Sequence, residues 1–142
     1  FNFIKSILMN FCKNVFYFGS VGMGAKAKLV NNFLALGTAT FVIESIKIAK
    51  ILGIDLYKFF EVAKLGSGNS GALNRIADKA LNNDYKGYIF TVNNALKDLT
   101  YINHLLKEMP NANKLSSITK SFYYNAKKKG YGELFLSELI KK

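Results

Sequence analysis

The chain has 142 residues and 15.9 kDa, with half of its side chains apolar and 14% aromatic against one proline, one cysteine and no tryptophan. That composition suits one compact domain with a real core and excludes a disordered, collagen-like or low-complexity chain. A net charge of +11 would suit a nucleic acid or an anionic membrane, but Arg75 is the sole arginine among the 20 cations, so the side chain that usually forks phosphates and reads bases is nearly missing and no nucleic-acid partner is expected.

Apolar residues at helical spacing over 1–12 predict a helix, and the aromatic run at 14–18 predicts a short strand ended by Gly19. The opening at Phe1 has no small-residue cleavage pattern after its apolar run, which argues against a signal peptide and for a chain that starts inside a longer protein. Residues 26–52 read as one long helix closed by Gly53. Its most apolar stretch, 29–43, includes Asn31 and Asn32 and meets Glu44 and Lys47 before it reaches the roughly 18–20 residues that a bilayer needs. It reads as a core helix, and no membrane partner is expected.

Asp55 is placed to cap a helix over 56–65, a polar glycine-rich loop fills 66–71, and a helix over 72–81 is followed by a break at 82–87. Residues 89–109 carry Val92, Leu96, Leu99, Ile102, Leu105 and Leu106 in a stripe of helical period that stops before Pro110. Residues 115–129 predict a further helix with a cationic last turn, whose lysines read as a solvated helix end, and 133–140 predict a terminal helix. No repeat of solenoid period is present. The fold class is mainly α: a helical bundle preceded by a helix and a strand, as where an α/β domain passes into a helical one.

Gly19, Gly22 and Gly24 lie between the expected strand and the long helix, which suggests a phosphate cradle. The spacing is GxxGxG rather than GxGxxG, and no acidic residue ends a second strand about 20 residues on, so the loop is not a pyrophosphate site. Lys28 and Asn32, four residues apart, share one helix face and can reach one ligand atom together. A lysine whose pKa is brought toward neutrality is a suitable acid/base for a carbonyl. The same spacing also fits a surface lysine beside a polar helix position, and no choice between the two follows from it.

The run Gly22-x-Gly24-x-x-x-Lys28-x-x-Asn31-Asn32 resembles the catalytic signature of the β-hydroxyacid dehydrogenases, the family of 3-hydroxyisobutyrate dehydrogenase, tartronate semialdehyde reductase and 6-phosphogluconate dehydrogenase-like enzymes. Gly53-Ile54-Asp55, Gly66-Ser67-Gly68-x-Ser70, Tyr85-x-Gly87-x-x-Phe90, Lys97-Asp98-Leu99 and Gly130-x-Gly132 follow in that family's order. The resemblance implies a 6-phosphogluconate dehydrogenase C-terminal-like bundle, with 1–20 as the tail of a Rossmann domain and 21–142 as an all-α substrate and dimerisation domain opening with a long interdomain helix. It implies hydride transfer between NAD or NADP and a small 3-hydroxy acid or its semialdehyde. Lys28 would be the general acid/base, Asn32 would bond substrate and lysine, and Ser67 and Ser70 would border the substrate. Lys97 and Phe90 would meet the cofactor near its nicotinamide.

The chain departs from the family in lacking the dinucleotide fingerprint and the Gly/Ser-rich segment that grips the substrate carboxylate, and Asn113-Lys114-Leu115 stands where the family often has a proline after a turn. His104 lacks partners at metal-ligand spacing, and no metal is expected. Cys12 has no evident base and cannot form an internal disulfide, which suits a reducing, cytoplasmic setting. The apolar surface of the long helix predicts a homodimer or homotetramer. The reading from another class is a non-catalytic basic helical module for nucleic acid, or a scaffold relative of the dehydrogenases.

Overall fold

A computed structural model describes all 142 residues as six α-helices and a closing 3-10 turn. The helices are α1 (Asn2–Leu8), α2 (Met23–Ile51), α3 (Leu56–Leu65), α4 (Gly71–Ala80), α5 (Val92–Leu105) and α6 (Pro110–Lys128), and the turn is Leu136–Lys141. The long α2 is the axle, with Leu36, Ala39, Val42, Ile43, Ile46 and Ala49 buried at a spacing that keeps them on one side. The other five elements after it pack against that face. By length and composition α2 could cross a membrane, a length that 29–43 alone does not reach. Its buried stripe is instead the centre of the core, which takes Phe60 from α3, Ile76 from α4, Leu99 and Ile102 from α5, and Tyr123 from α6.

The element ends follow local chemistry. Gly53 takes the left-handed conformation, φ +68°, that stops α2 at little cost. The Asp55 carboxylate accepts from Lys58 N at 2.9 Å to start α3, and Ser70 Oγ accepts from Leu73 N at 3.1 Å to start α4. Between α5 and α6, Asn103 Nδ2 donates to Ser117 Oγ at 3.0 Å, Ser116 Oγ donates to Asn103 Oδ1, and Asn113 Nδ2 donates to the Asn103 carbonyl at 2.9 Å. Thr40 and Tyr123 hydroxyls lie 2.8 Å apart inside the bundle. Thr40 donates to the Leu36 carbonyl, so the Tyr123 phenol donates to Thr40.

The C-terminal turn holds the loop before α5. Ser137 Oγ accepts from Tyr88 N at 3.0 Å and donates to the Tyr85 carbonyl at 2.6 Å, while Leu136 N donates to the Phe90 carbonyl at 2.9 Å. Gly87 is required there, because a Cβ would lie 2.1 Å from the Arg75 carbonyl oxygen.

Five expectations need correction. No strand forms at 14–18, and the only bridge in the chain joins Thr91 and Phe135, so the expected β/α remnant is a helix and a coil. A strand needs a neighbour for its N–H and C=O groups, and none is offered. The first helix ends at Leu8, and none of its residues is buried. Pro110 opens α6 rather than only closing α5, since its missing N–H falls among the donors a helix start leaves free. Asn113, Lys114 and Leu115 therefore lie within α6, not in a turn. Thr91 Oγ1 accepts from Asn94 N, which starts α5 at Val92 instead of 89, and the terminal helix is a 3-10 turn from Leu136.

Candidate active site

The site is organised by a carboxylate. Asp98 sits on α5 between Ala95 and Ile102 on the buried face, with its side chain 4% exposed. A charge so placed must be paired and hydrogen-bonded. Its Oδ2 accepts from Lys28 Nζ at 3.1 Å and from Asn32 Nδ2 at 2.6 Å, both one turn apart on α2. Lys97 Nζ lies 3.8 Å from Oδ1. Two ammonium groups thus face one buried carboxylate, and the lysine side chains remain 58% exposed.

Asn32 and Lys28 do not bond one another, contrary to the direct contact expected. Asp98 ties both, and it is the residue that sequence reasoning left without a role. A signal was present: Ala95, Asp98, Leu99 and Ile102 follow i, i+3, i+4, i+7, so Asp98 falls among core positions where a carboxylate requires a cation.

Beyond Asn32 opens a groove of about 710 Å³, walled by Asn31, Asn32 and Thr38 of α2, by the Ser67–Gly71 loop, and by Arg75 and Tyr88. Ser67 and Ser70 both line it, and Ser70 Oγ also caps α4. A smaller recess of about 170 Å³ shares Asn32, Arg75 and Tyr88 with the groove and adds Phe90. Phe90 packs against the core, so it is partly core and partly site wall. Burial pushes the Tyr88 phenol up, partly opposed by the Arg75 charge. On its other side Lys28 borders an apolar recess of about 400 Å³ that contains Leu29, Tyr101 and His104. No group of three or more His, Cys, Asp or Glu could hold a metal ion.

The comparisons with known proteins decide the family. Residues 22–142 match the model described as "NAD-binding of NADP-dependent 3-hydroxyisobutyrate dehydrogenase". The chain belongs to this family. It is 27% identical, over 133 residues, to the "probable 3-hydroxyisobutyrate dehydrogenase-like 1, mitochondrial" of Arabidopsis thaliana, covering 94% of this chain and 40% of that relative. It also superposes on the crystal structure of a 3-hydroxyisobutyrate dehydrogenase from Salmonella typhimurium with a TM-score of 0.84 at 24% identity, covering 97% of this chain and 48% of that one. The mainly α fold is therefore that of a 3-hydroxyisobutyrate dehydrogenase's helical part. The chain spans less than half the length of either relative.

Within this 3-hydroxyisobutyrate dehydrogenase family member, the Lys28, Asn32 and Lys97 positions read from sequence converge on one carboxylate. Ser67 and Ser70 join them only through the groove that begins at Asn32.

Proposed function

We propose that this chain is the C-terminal, all-α domain of an NAD(P)-dependent oxidoreductase that moves a hydride between nicotinamide and a small 3-hydroxy acid or its semialdehyde. The observation that carries the reading is the convergence of Lys28 and Asn32 on Asp98 Oδ2, at 3.1 and 2.6 Å. An ammonium tethered at one point by a buried carboxylate is aimed, and with its side chain 58% exposed it keeps further N–H bonds for a ligand. In reduction Lys28 donates a proton to the substrate oxygen; in oxidation it takes the hydroxyl proton. Asn32 spends one N–H on Asp98, which leaves its other N–H and its Oδ1 for the substrate oxygen.

The donor set suits a dinucleotide. Lys97 Nζ, 3.8 Å from Asp98, is free to donate to a phosphate or ribose oxygen, and Phe90 offers an apolar wall on the same side as Asn32. The nicotinamide supplies the hydride when bound. A nucleotide-binding domain outside these 142 residues would complete the site, and the choice between NAD and NADP rests with it. The outward stripe of α2, Val30, Leu34, Phe41 and Ile48, is exposed and suits a second copy of the chain, giving a homodimer or homotetramer.

The test is an assay of the protein translated from the whole reading frame that contains this chain, against a panel of 3-hydroxy acids with each nicotinamide nucleotide. Reduction of NAD or NADP by one of these acids is expected, while the isolated 142-residue chain is expected to be inactive. Turnover by the isolated chain, or no turnover of any 3-hydroxy acid by the whole protein, overturns the reading.

A further inference from the structure

We propose that Arg75 is the specificity-determining residue of the groove, reading an anionic group, carboxylate or phosphate, at the end of the substrate remote from the carbon that Lys28 serves. The inference rests on the dehydrogenase reading for which end of the ligand reacts. Arg75 itself is assigned no role by the sequence motifs.

Arg75 is the only arginine, and it takes part in none of the chain's ion pairs or side-chain hydrogen bonds. The nearby carboxylates are already taken: Asp78, one turn further along α4, pairs with Lys64 at 3.0 Å, and Asp84 with Lys79 at 3.1 Å. Its base is fixed, since Gly87 packs directly on the Arg75 carbonyl and the next residue, Tyr88, is pinned through its N–H to Ser137. Arg75 is exposed at the groove, and an unengaged guanidinium there offers a fork for a planar carboxylate or a phosphate face.

The surroundings select the same ligand. The walls shared with Arg75 are amides and hydroxyls from Asn31, Asn32, Ser67, Ser70 and Tyr88, and no Asp or Glu lines the groove or the smaller recess. Arg75 is the only charged group in either. The Tyr88 hydroxyl, raised by burial against the opposing Arg75 charge, is a donor beside the guanidinium. Asn32 and Arg75 line both the groove and the recess, whereas Lys28, tied with Asn32 to Asp98, lines neither, so a ligand that reaches past Asn32 to Lys28 leaves its other end with the guanidinium.

The test is a titration of the ¹⁵N-labelled 142-residue chain, at constant ionic strength, with malonate, inorganic phosphate and neutral malonamide. Malonate or phosphate is expected to shift the Arg75 side-chain N–H and the amides of Ser67, Ser70 and Tyr88 saturably, and malonamide is expected not to. Preference for malonate assigns a carboxylate, and preference for phosphate a phosphorylated substrate. Arg75→Gln is expected to weaken binding by about tenfold or more, Arg75→Lys to restore part of it, and Lys127→Gln, which removes the same charge at the far end of α6, to leave it unchanged. Equal binding by Arg75→Gln, shifts scattered over the lysines, or no saturable shift overturns the proposal. The titration needs neither cofactor nor turnover, so its failure leaves the hydride-transfer reading standing, and the failure of that reading leaves the anion site standing.

Discussion

Residues 1–22 and residues 23–142 are both rich in large apolar side chains, yet only the second region has a core. In the first, Phe3 is 82%, Phe11 83% and Phe16 74% exposed, and the Phe1 ring meets Tyr17 and Lys5 of the same region. In the second, Phe60, Ile43, Ile46 and Tyr123 are fully enclosed. Apolar content sets the capacity to bury surface, and a neighbouring element with a complementary face decides whether burial occurs. The helix α2 supplies that face to every later element, and nothing in this chain supplies it to α1.

Substitutions across the two regions sharpen this contrast. Phe60→Ala opens a cavity in the enclosed core and is expected to lower unfolding free energy by about 3–5 kcal/mol in denaturant titration. Gly87→Ala forces a Cβ against the Arg75 carbonyl and should cost about 1–3 kcal/mol, with amide shifts confined to the 82–91 loop and α4. A Gly87→Ala protein as stable as the parent would break the account of how the loop is seated.

Tyr123→Phe removes the hydrogen bond to Thr40, about 0.5–1.5 kcal/mol, and carries a pH signature. Burial raises the Tyr123 phenol in the folded protein, so its stabilising contribution is fully present below the ordinary tyrosine pKa and is lost as pH climbs above it. Wild type should lose stability above about pH 10, and Tyr123→Phe should lose less. Identical alkaline slopes would show that other groups control it. Phe16→Ala is expected to change stability by less than about 0.5 kcal/mol, and a larger loss would mean that the first region packs on the bundle after all.

The helices of the bundle were legible because their periods and caps are local: Gly53 and Asp55 mark ends that the structure keeps. The strand at 14–18 misled because a β-like run carries no information about its partner. Pro110 misled because the same missing N–H that closes one helix suits the start of the next. The spacing of Lys28 and Asn32 left their roles open until the resemblance assigned them, whereas Asp98 reaches them across 70 and 66 residues of sequence, and only its place in an apolar stripe foretold that it would be buried. Arg75 stood out in the sequence only as the sole arginine, because the groove without carboxylates that surrounds it is assembled by the fold.

The central claim is that Lys28, held by Asp98, moves the proton. The most direct test is the turnover of Lys28→Ala against wild type in the protein translated from the whole reading frame, with the best 3-hydroxy acid and nucleotide from the panel. The account predicts that kcat per folded molecule falls by about 10²–10⁴-fold, with a lowered melting temperature as well, since the buried Asp98 is then left with Asn32 and the more distant Lys97. Undiminished kcat in the folded variant would contradict it.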